Sequence, residues 1–471
     1  MPFTTLAYVK FFALAFVVTW LCARFRRLRL LFLLGASYFF YAQSGPRFLL
    51  LIFACSTADF LLSHAIGRAR EQGERKAWLV LTVVMNLGVL AYFKYAKFGI
   101  DAALAGLAAL GVHAPTPVLS IALPVGISFF TFESMSYVID VYRKEIEPHR
   151  SYLEYLTFVA FFPHLVAGPI VRPRDLLPQL ARPPVWQEGE ASAALLLIAT
   201  GLFKKLAIAD YLGLNLVDRV FDAPTQYSAL ECYVAVVAYA VQIYADFSGY
   251  TDIAIGSAAL LGVRFPANFR APYQAHDIVD FWRRWHISLS TWLRDYLYIP
   301  LGGNRHGRLR TYANLIATMV LGGLWHGSQW TFVVWGALHG VALACNRAFR
   351  ERFGDVLKST PLLRTLSTFG TFHFVLVAWV FFRAHTFRDA RAVFGELATL
   401  TTFHPNLDPR VLAVLALGLG LHFLPERLEN ELRSRFSALP GIVQGLALFV
   451  VLFAVRRMAS AEAVPFVYFQ F

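Results

Sequence analysis

Apolar runs separated by short basic or polar gaps make up most of this chain. A helix needs about 20 apolar residues to cross a hydrocarbon core. Candidate runs centre on residues 5–22, 29–43, 47–66, 77–97, 117–139, 153–171, 192–214, 228–262, 311–345, 367–383, 410–424 and 440–456. Together they predict about ten or eleven membrane helices. The runs at 228–262 and 311–345 extend to about 35 residues, too long for one upright span, so each reads as a strongly tilted helix or a helix followed by a re-entrant part. The longest polar gaps, 172–191, 264–284 and 346–366, are too short to fold alone, and no repeat or linker divides the sequence. The expectation is an all-α, polytopic membrane protein with added interfacial and re-entrant helices, forming a single domain over residues 1–471.

Two segments break the pattern. Residues 277–300 (DIVDFWRRWHISLSTWLRDYLYIP) carry Phe281, Trp282, Trp285, Leu289, Leu293 and Tyr296 at steps of three and four, with Arg283, Arg284 and Arg294 off that stripe. This spacing predicts an amphipathic helix with an aromatic face, suited to the membrane interface. Residues 168–180 (GPIVRPRDLLPQL) contain three prolines in an apolar context. They read either as a turn at the bilayer edge or as broken backbone sheltered by protein at membrane depth.

Composition sharpens this picture. Hydrophobic residues make up 57% of the chain and charged residues 15%, against roughly 25% charged in soluble domains. Mean hydropathy is +0.53, and such a chain cannot cover a globular surface with polar groups. Lys and Arg exceed Asp and Glu by 43 to 30. The excess lies in loop-like runs such as 24–29 (RFRRLR), 68–76 (RAREQGERK) and 346–358 (NRAFRERFGDVLK), as cytoplasmic loops require, and does not indicate nucleic acid. The start reads as a first membrane helix, not a cleaved leader: only Lys10 precedes the run 11–22, and RFRRLR follows it. That puts the N-terminus outside, with 24–29, 68–76 and 143–150 cytoplasmic. Cys22, Cys55, Cys232 and Cys345 lie in or beside apolar stretches without a CxxC pair, and read as small buried hydrophobes.

Ionisable groups inside apolar spans are costly and are functional candidates by default. Four constellations qualify. Glu133 and Asp140 stand seven apart on one helical face; His164 lies in FFPHLVAGP; Gln242, Asp246, Ser248, Thr251 and Asp252 share one run; His326 and His339 lie in LGGLWHGSQWTFVVWGALHG. The acidic groups also fit simple ion pairing between helices. His339 is 13 positions beyond His326, about 220° around a helix, so the two do not share a face. His113, His149, His306 and His404 sit in polar stretches and read as surface residues. There is no HExxH, no His pair at metal-ligand spacing, no GxSxG and no GxxxxGK[ST]. Histidine without a nucleophile or metal leaves general-base chemistry and transport both open.

The motif text decides between them. FWRRWHISLSTWLRDYLYIPLGGNR (281–305) and LWHGSQWTFVVWGALHG (324–340) resemble the membrane-bound O-acyltransferase superfamily, in its bacterial alginate O-acetyltransferase and teichoic-acid D-alanyl transfer branch. QIYADFSGYTDIAIG (242–256), FFPHLVAGPIVRP (161–173), VFFRAHTF (380–387) and PFVYFQF (465–471) are similar as well, so the resemblance covers essentially the whole chain. It implies that His326 is the catalytic histidine and His286 the second polar active-site position, which is His or Asn in that superfamily. It implies acyl transfer from a thioester to a hydroxyl through a tunnel across the bacterial inner membrane. The donor, acetyl-CoA or a carrier-protein phosphopantetheine, is a substrate; no bound cofactor or metal is implied. The acceptor is a secreted polysaccharide, reached with periplasmic partner acetyltransferase proteins.

Neutral imidazole suits removal of a hydroxyl proton near pH 7. His286 or Trp285 would supply a second donor for the acyl carbonyl. Arg283, Arg284 and Trp285 would meet the anionic donor at a cytoplasmic roof. Trp282, Trp285, Trp325, Trp330 and Trp335 would line a dry tunnel. The competing readings are D-alanyl transfer to teichoic acid and a transporter without chemistry; the WGALHG ending and the terminal PFVYFQF favour acetyl transfer.

Overall fold

A computed structural model describes the chain apart from residues 114, 116, 118–120, 167, 187, 355, 357–359, 459–465 and 467–471. The terminal PFVYFQF therefore lies outside the described residues except for Phe466. Helix is the only regular structure among the described residues. The chain divides into two compact units, one formed by residues 1–186 and 257–265, the other by 187–256 and 266–471.

The first unit contains α1 (Leu6–Leu21), α2 (Arg26–Ala42), α3 (Phe48–Arg68), α4 (Gln72–Leu90), α5 (Ala96–Ala109), α6 (Ile127–Tyr142), α7 (Tyr152–Ala160), α8 (Phe162–Leu165) and α9 (Pro173–Ala181). Buried polar groups tie these elements together. Arg75 donates to the carbonyls of Ile66 and Tyr142 at 2.9 Å each, holding the last turns of α3 and α6. Arg29 donates to Leu180 and Arg182 carbonyls at the end of α9, both at 2.7 Å. These carbonyls have no helical partner of their own, so each guanidinium satisfies acceptors that would otherwise be left bare.

The second unit contains α10 (Glu188–Leu202), a π-helical turn (Phe203–Ala209), α11 (Asp210–Leu212), α12 (Asp218–Asp222) and α13 (Ala229–Leu260), whose residues from Ser257 belong to the first unit. It continues with α14 (Ile278–Arg284), α15 (Ile287–Leu293), α16 (Arg308–His326), α17 (Trp330–Phe353), α18 (Pro361–Arg383), α19 (Phe387–Ala398), α20 (Pro409–His422), α21 (Glu426–Ser437) and α22 (Gly441–Met458). The acidic groups of α13 pair with basic ones. Lys205 Nζ lies 2.6 Å from both Asp246 and Asp210, and Lys204 Nζ lies 2.7 Å from Asp252. Consecutive lysines in the π-turn thus grip two levels of one long helix.

By length and apolarity, six helices among the described residues can cross a membrane: Phe48–Arg68, Gln72–Ala109, Gly189–Asp222, Ala229–Leu260, Trp330–Phe353 and Pro361–Arg383. The pair Pro409–His422 and Glu426–Ser437, bent by 91°, would make a seventh. The sequence-based count was higher because apolar runs were equated with spans. The run 153–171 is instead divided into α7 and α8, where Pro163 stands at the start of a new helix, and residues 154–166 are buried inside protein. The run 228–262 is one helix of 32 residues. The run 311–345 is not one tilted helix but a helical hairpin, because Gly327, Ser328 and Gln329 end α16 and start α17.

Glycine makes that hairpin tight. A Cβ on Gly336 would lie 2.9 Å from the Val320 Cα, and one on Gly323 would lie 3.2 Å from the Gly336 Cα. The two backbones therefore touch, as small residues permit in membrane helices.

The segment 281–300 also departs from expectation. It is broken between Arg284 and Ile287, and its stripe (Phe281, Trp282, Trp285, Leu289 and Leu293) is buried in the unit rather than presented outward. Cysteine placement agrees for Cys55 and Cys232, which are buried, and departs for Cys22, half-buried, and Cys345, exposed.

Candidate active site

The break in 281–300 places His286. Trp285 N donates to Phe281 O and closes α14; Ser290 N donates to His286 O and opens α15. Between them His286 takes the left-handed conformation, φ 42° and ψ 55°, which costs a residue with a Cβ roughly 1–2 kcal/mol. Neither glycine nor proline marks the position. Asn268, in the strap before α14, holds it: its carbonyl accepts from Ile287 N at 2.9 Å and its Oδ1 from Ser288 N at 3.1 Å. A second bond, Arg270 N to Arg284 O at 3.0 Å, secures the same strap.

His326 is the last residue of α16, and Gly327 turns the chain away from it. The two histidines that the sequence resemblance singled out come together. Their ring centroids are 6.4 Å apart, with His286 fully buried and His326 4% exposed. Around His326 stand Trp325 (5.0 Å), Trp335 (5.2 Å) and Phe382 (5.3 Å). Around His286 stand Phe247 (4.7 Å) and Trp325 (6.0 Å). Trp379 extends the cage, stacked on Trp335 and packed against Trp285 at 5.0 Å. Burial in this apolar shell pushes the His286 imidazole down to about 3, so it is neutral at physiological pH.

His339 lies on the far side of Trp335, 4.8 Å from it, and its Nδ1 accepts from Trp282 Nε1 at 3.3 Å. That bond leaves the His339 hydrogen on Nε2. Four polar atoms of this neighbourhood are buried with no hydrogen-bond partner among the described residues: His286 Nε2, His339 Nε2, Trp285 Nε1 and Trp335 Nε1. Each costs about 1–3 kcal/mol if left unmade. Their concentration in one apolar cage is what a polar substrate would relieve.

The other sequence candidates are distributed differently. Trp330 is 54% exposed and does not belong to the cage. Arg283 is exposed, whereas Arg284 is engaged by Asp280 at 3.0 Å and by the Arg270 carbonyl. His164 belongs to the first unit, where its Nδ1 meets Glu133 Oε1 at 2.9 Å and its Nε2 meets the Phe158 carbonyl at 3.1 Å. His149, read from sequence as a surface residue, is half-buried and pairs with Glu154 at 2.7 Å. Among the described residues no cluster of His, Cys, Asp and Glu can hold a metal.

A cavity of about 410 Å³ opens beside the start of α14, lined by Val279, Leu315, Leu343, Asn346, Arg347, Arg350, Glu351 and Gly354. Leu343, Asn346 and Arg350 share one face of α17 with Trp335 and His339, at steps of three and four. Sequence reading missed this cavity and Asn268 alike. The arginines look like an ordinary cytoplasmic run, and an asparagine in a polar gap carries no signal by itself.

Residues 78–384 match the model of the membrane-bound O-acyltransferase family. The chain belongs to the membrane-bound O-acyltransferase family. This acyltransferase is 46% identical to the probable alginate O-acetylase AlgI of Azotobacter vinelandii, over 79% of its own length and 73% of that protein. It is 35% identical to the peptidoglycan O-acetyltransferase of Helicobacter pylori, over 79% of its length and 74% of the relative. The teichoic acid D-alanyltransferase of Bacillus subtilis is 28% identical over 66% of this chain and 84% of that protein. The chain is thus a multi-pass membrane enzyme that transfers acyl groups to oxygen.

Proposed function

We propose that this acyltransferase moves acetyl groups from a cytoplasmic thioester, acetyl-CoA or a carrier-protein phosphopantetheine, across the bacterial inner membrane towards hydroxyls of a secreted polysaccharide. The observation that carries the chemistry is the pair of buried imidazoles, 6.4 Å apart, inside the aromatic cage. His326 is the general base. The acceptor oxygen bonds to the acyl carbon as its proton passes to imidazole; the carbon–sulfur bond then breaks, and the departing thiolate takes the proton back. The cage keeps water from competing for the thioester.

Acetyl transfer to polysaccharide is favoured over D-alanyl transfer by the higher identity to proteins named alginate O-acetylase than to those named teichoic acid D-alanyltransferase. Periplasmic acetyltransferase partners would complete delivery. The donor side is assigned to Arg283 and Arg284 together with the cavity bearing Arg347 and Arg350, where guanidinium groups suit phosphate.

Ester analysis of the host's exopolysaccharide tests the acceptor. Deleting the protein should abolish its O-acetyl esters, and an unchanged ester content with loss of D-alanyl esters would select the other reading. For the donor side, changing Arg283 and Arg284 together to Glu should raise the donor concentration needed for half-maximal rate more than the acceptor concentration. An equal rise in both would remove these arginines from the donor path.

A further inference from the structure

A histidine's role depends on which ring nitrogen holds the hydrogen. For His286 the surrounding bonds decide this. The Ser288 backbone N–H can only donate, so the Asn268 atom 3.1 Å from it is the oxygen, not the amide nitrogen. The Ser288 hydroxyl donates to that same oxygen at 2.9 Å, a much better contact than its 3.5 Å approach to His286 Nδ1. His286 Nδ1 lies 3.2 Å from the oxygen. Two acceptors would repel there, so Nδ1 carries the hydrogen and donates. Nε2 is left with its lone pair, buried, and without a partner among the described residues.

We propose that Asn268 is a positioning residue that locks His286 in the Nδ1–H tautomer, so that Nε2 meets the substrate as a hydrogen-bond acceptor beside His326. This rests on the reading that His286 takes part in acyl transfer, and it changes what His286 does there. A neutral imidazole with hydrogen on Nδ1 cannot donate through Nε2 to the acyl carbonyl oxygen, the role that sequence reading allowed it. It faces a hydroxyl hydrogen instead. Stabilising the carbonyl oxygen then falls to other groups, and the indole N–H groups of Trp285 and Trp335, without a partner among the described residues, are donors of the required kind.

Asn268 also secures the backbone, but the two duties are separable. Its carbonyl bond to Ile287 N survives any change of side chain. An aspartate keeps an oxygen acceptor for Ser288 and for His286 Nδ1, whereas alanine keeps neither.

Nitrogen-15 spectra of histidine-labelled protein read the tautomer directly, with the His286 signals identified by their disappearance in His286→Asn. The expected result is an unprotonated Nε2 and a protonated Nδ1 in the wild type and in Asn268→Asp, and a mixture of tautomers in Asn268→Ala. Asn268→Ala should lower kcat roughly 10²-fold, the low end of what a positioned proton-transfer group supplies, with KM for donor little changed. Asn268→Asp should recover most of that loss. Hydrogen found on Nε2 in the wild type overturns the proposal, as does a kcat loss equal in the Asp and Ala proteins. Should Asn268→Ala fail to fold, the wild-type and Asp spectra and the Asp kcat decide. Full activity in His286→Ala would instead remove His286 from the reaction while leaving the tautomer result standing.

Discussion

His326→Ala should lower acyl transfer by on the order of 10²–10⁴-fold, the range that a positioned general base contributes, while the protein still reaches the membrane. The residue ends α16 and its neighbours in the cage are other rings, so truncation opens space without stranding a charge. The assay is turnover of purified protein with a thioester donor, beside a membrane-fraction control for expression. His286→Ala should cost less. His286→Asn should cost less again, because asparagine tolerates the left-handed backbone found there and keeps a hydrogen-bonding group. Retention of more than about a tenth of wild-type rate in His326→Ala, far short of a general-base loss, would move the base elsewhere, with His164 and His339 the alternatives.

The largest expected loss of stability comes from Lys205→Met. Lys205 is 1% exposed at its side chain and is shared by Asp210 and Asp246 at 2.6 Å each. Removing it leaves two buried carboxylates without that cation, and breaking a buried pair in this way costs about 3–5 kcal/mol. Thermal unfolding of the detergent-solubilised protein should show a large drop in midpoint. Asp246→Asn should cost less, because Lys205 keeps Asp210. An unchanged midpoint in Lys205→Met would mean that the triad contributes nothing to holding the π-turn against α13.

Much of the candidate site was legible in the motifs. His286 and His326 are 40 positions apart in sequence, and the resemblance alone joined them before any geometry did. The intramembrane charges were legible as groups needing partners, but not which partners. Glu133 finds His164, Asp246 finds Lys205 and Asp252 finds Lys204 from distant segments, and apolar periodicity says nothing about such pairings. The break at His286 was illegible because its cause lies 18 residues earlier, in Asn268. The aromatic stripe of 281–300 was read correctly as a face, but spacing cannot tell lipid from protein as the medium it meets. The span count ran high for a related reason, since a run buried inside protein and a run crossing lipid have the same composition.

The hairpin of α16 and α17 has a consequence for how far His326 stands from the basic end of the pair. A three-residue connection and touching backbones make the two helices an antiparallel pair, with Arg308 at the start of one and Glu351 near the end of the other meeting at 3.2 Å. Arg308, Arg310, Arg347, Arg350 and Arg352 therefore gather at one end, and His326 stands at the other, roughly 27 Å away along α16. The hairpin thus acts as a ruler, fixing the span between the arginine cluster and the imidazole. A lengthening of α16 by one turn would displace His326 from Trp335 and Phe382 without altering a single residue of the cage.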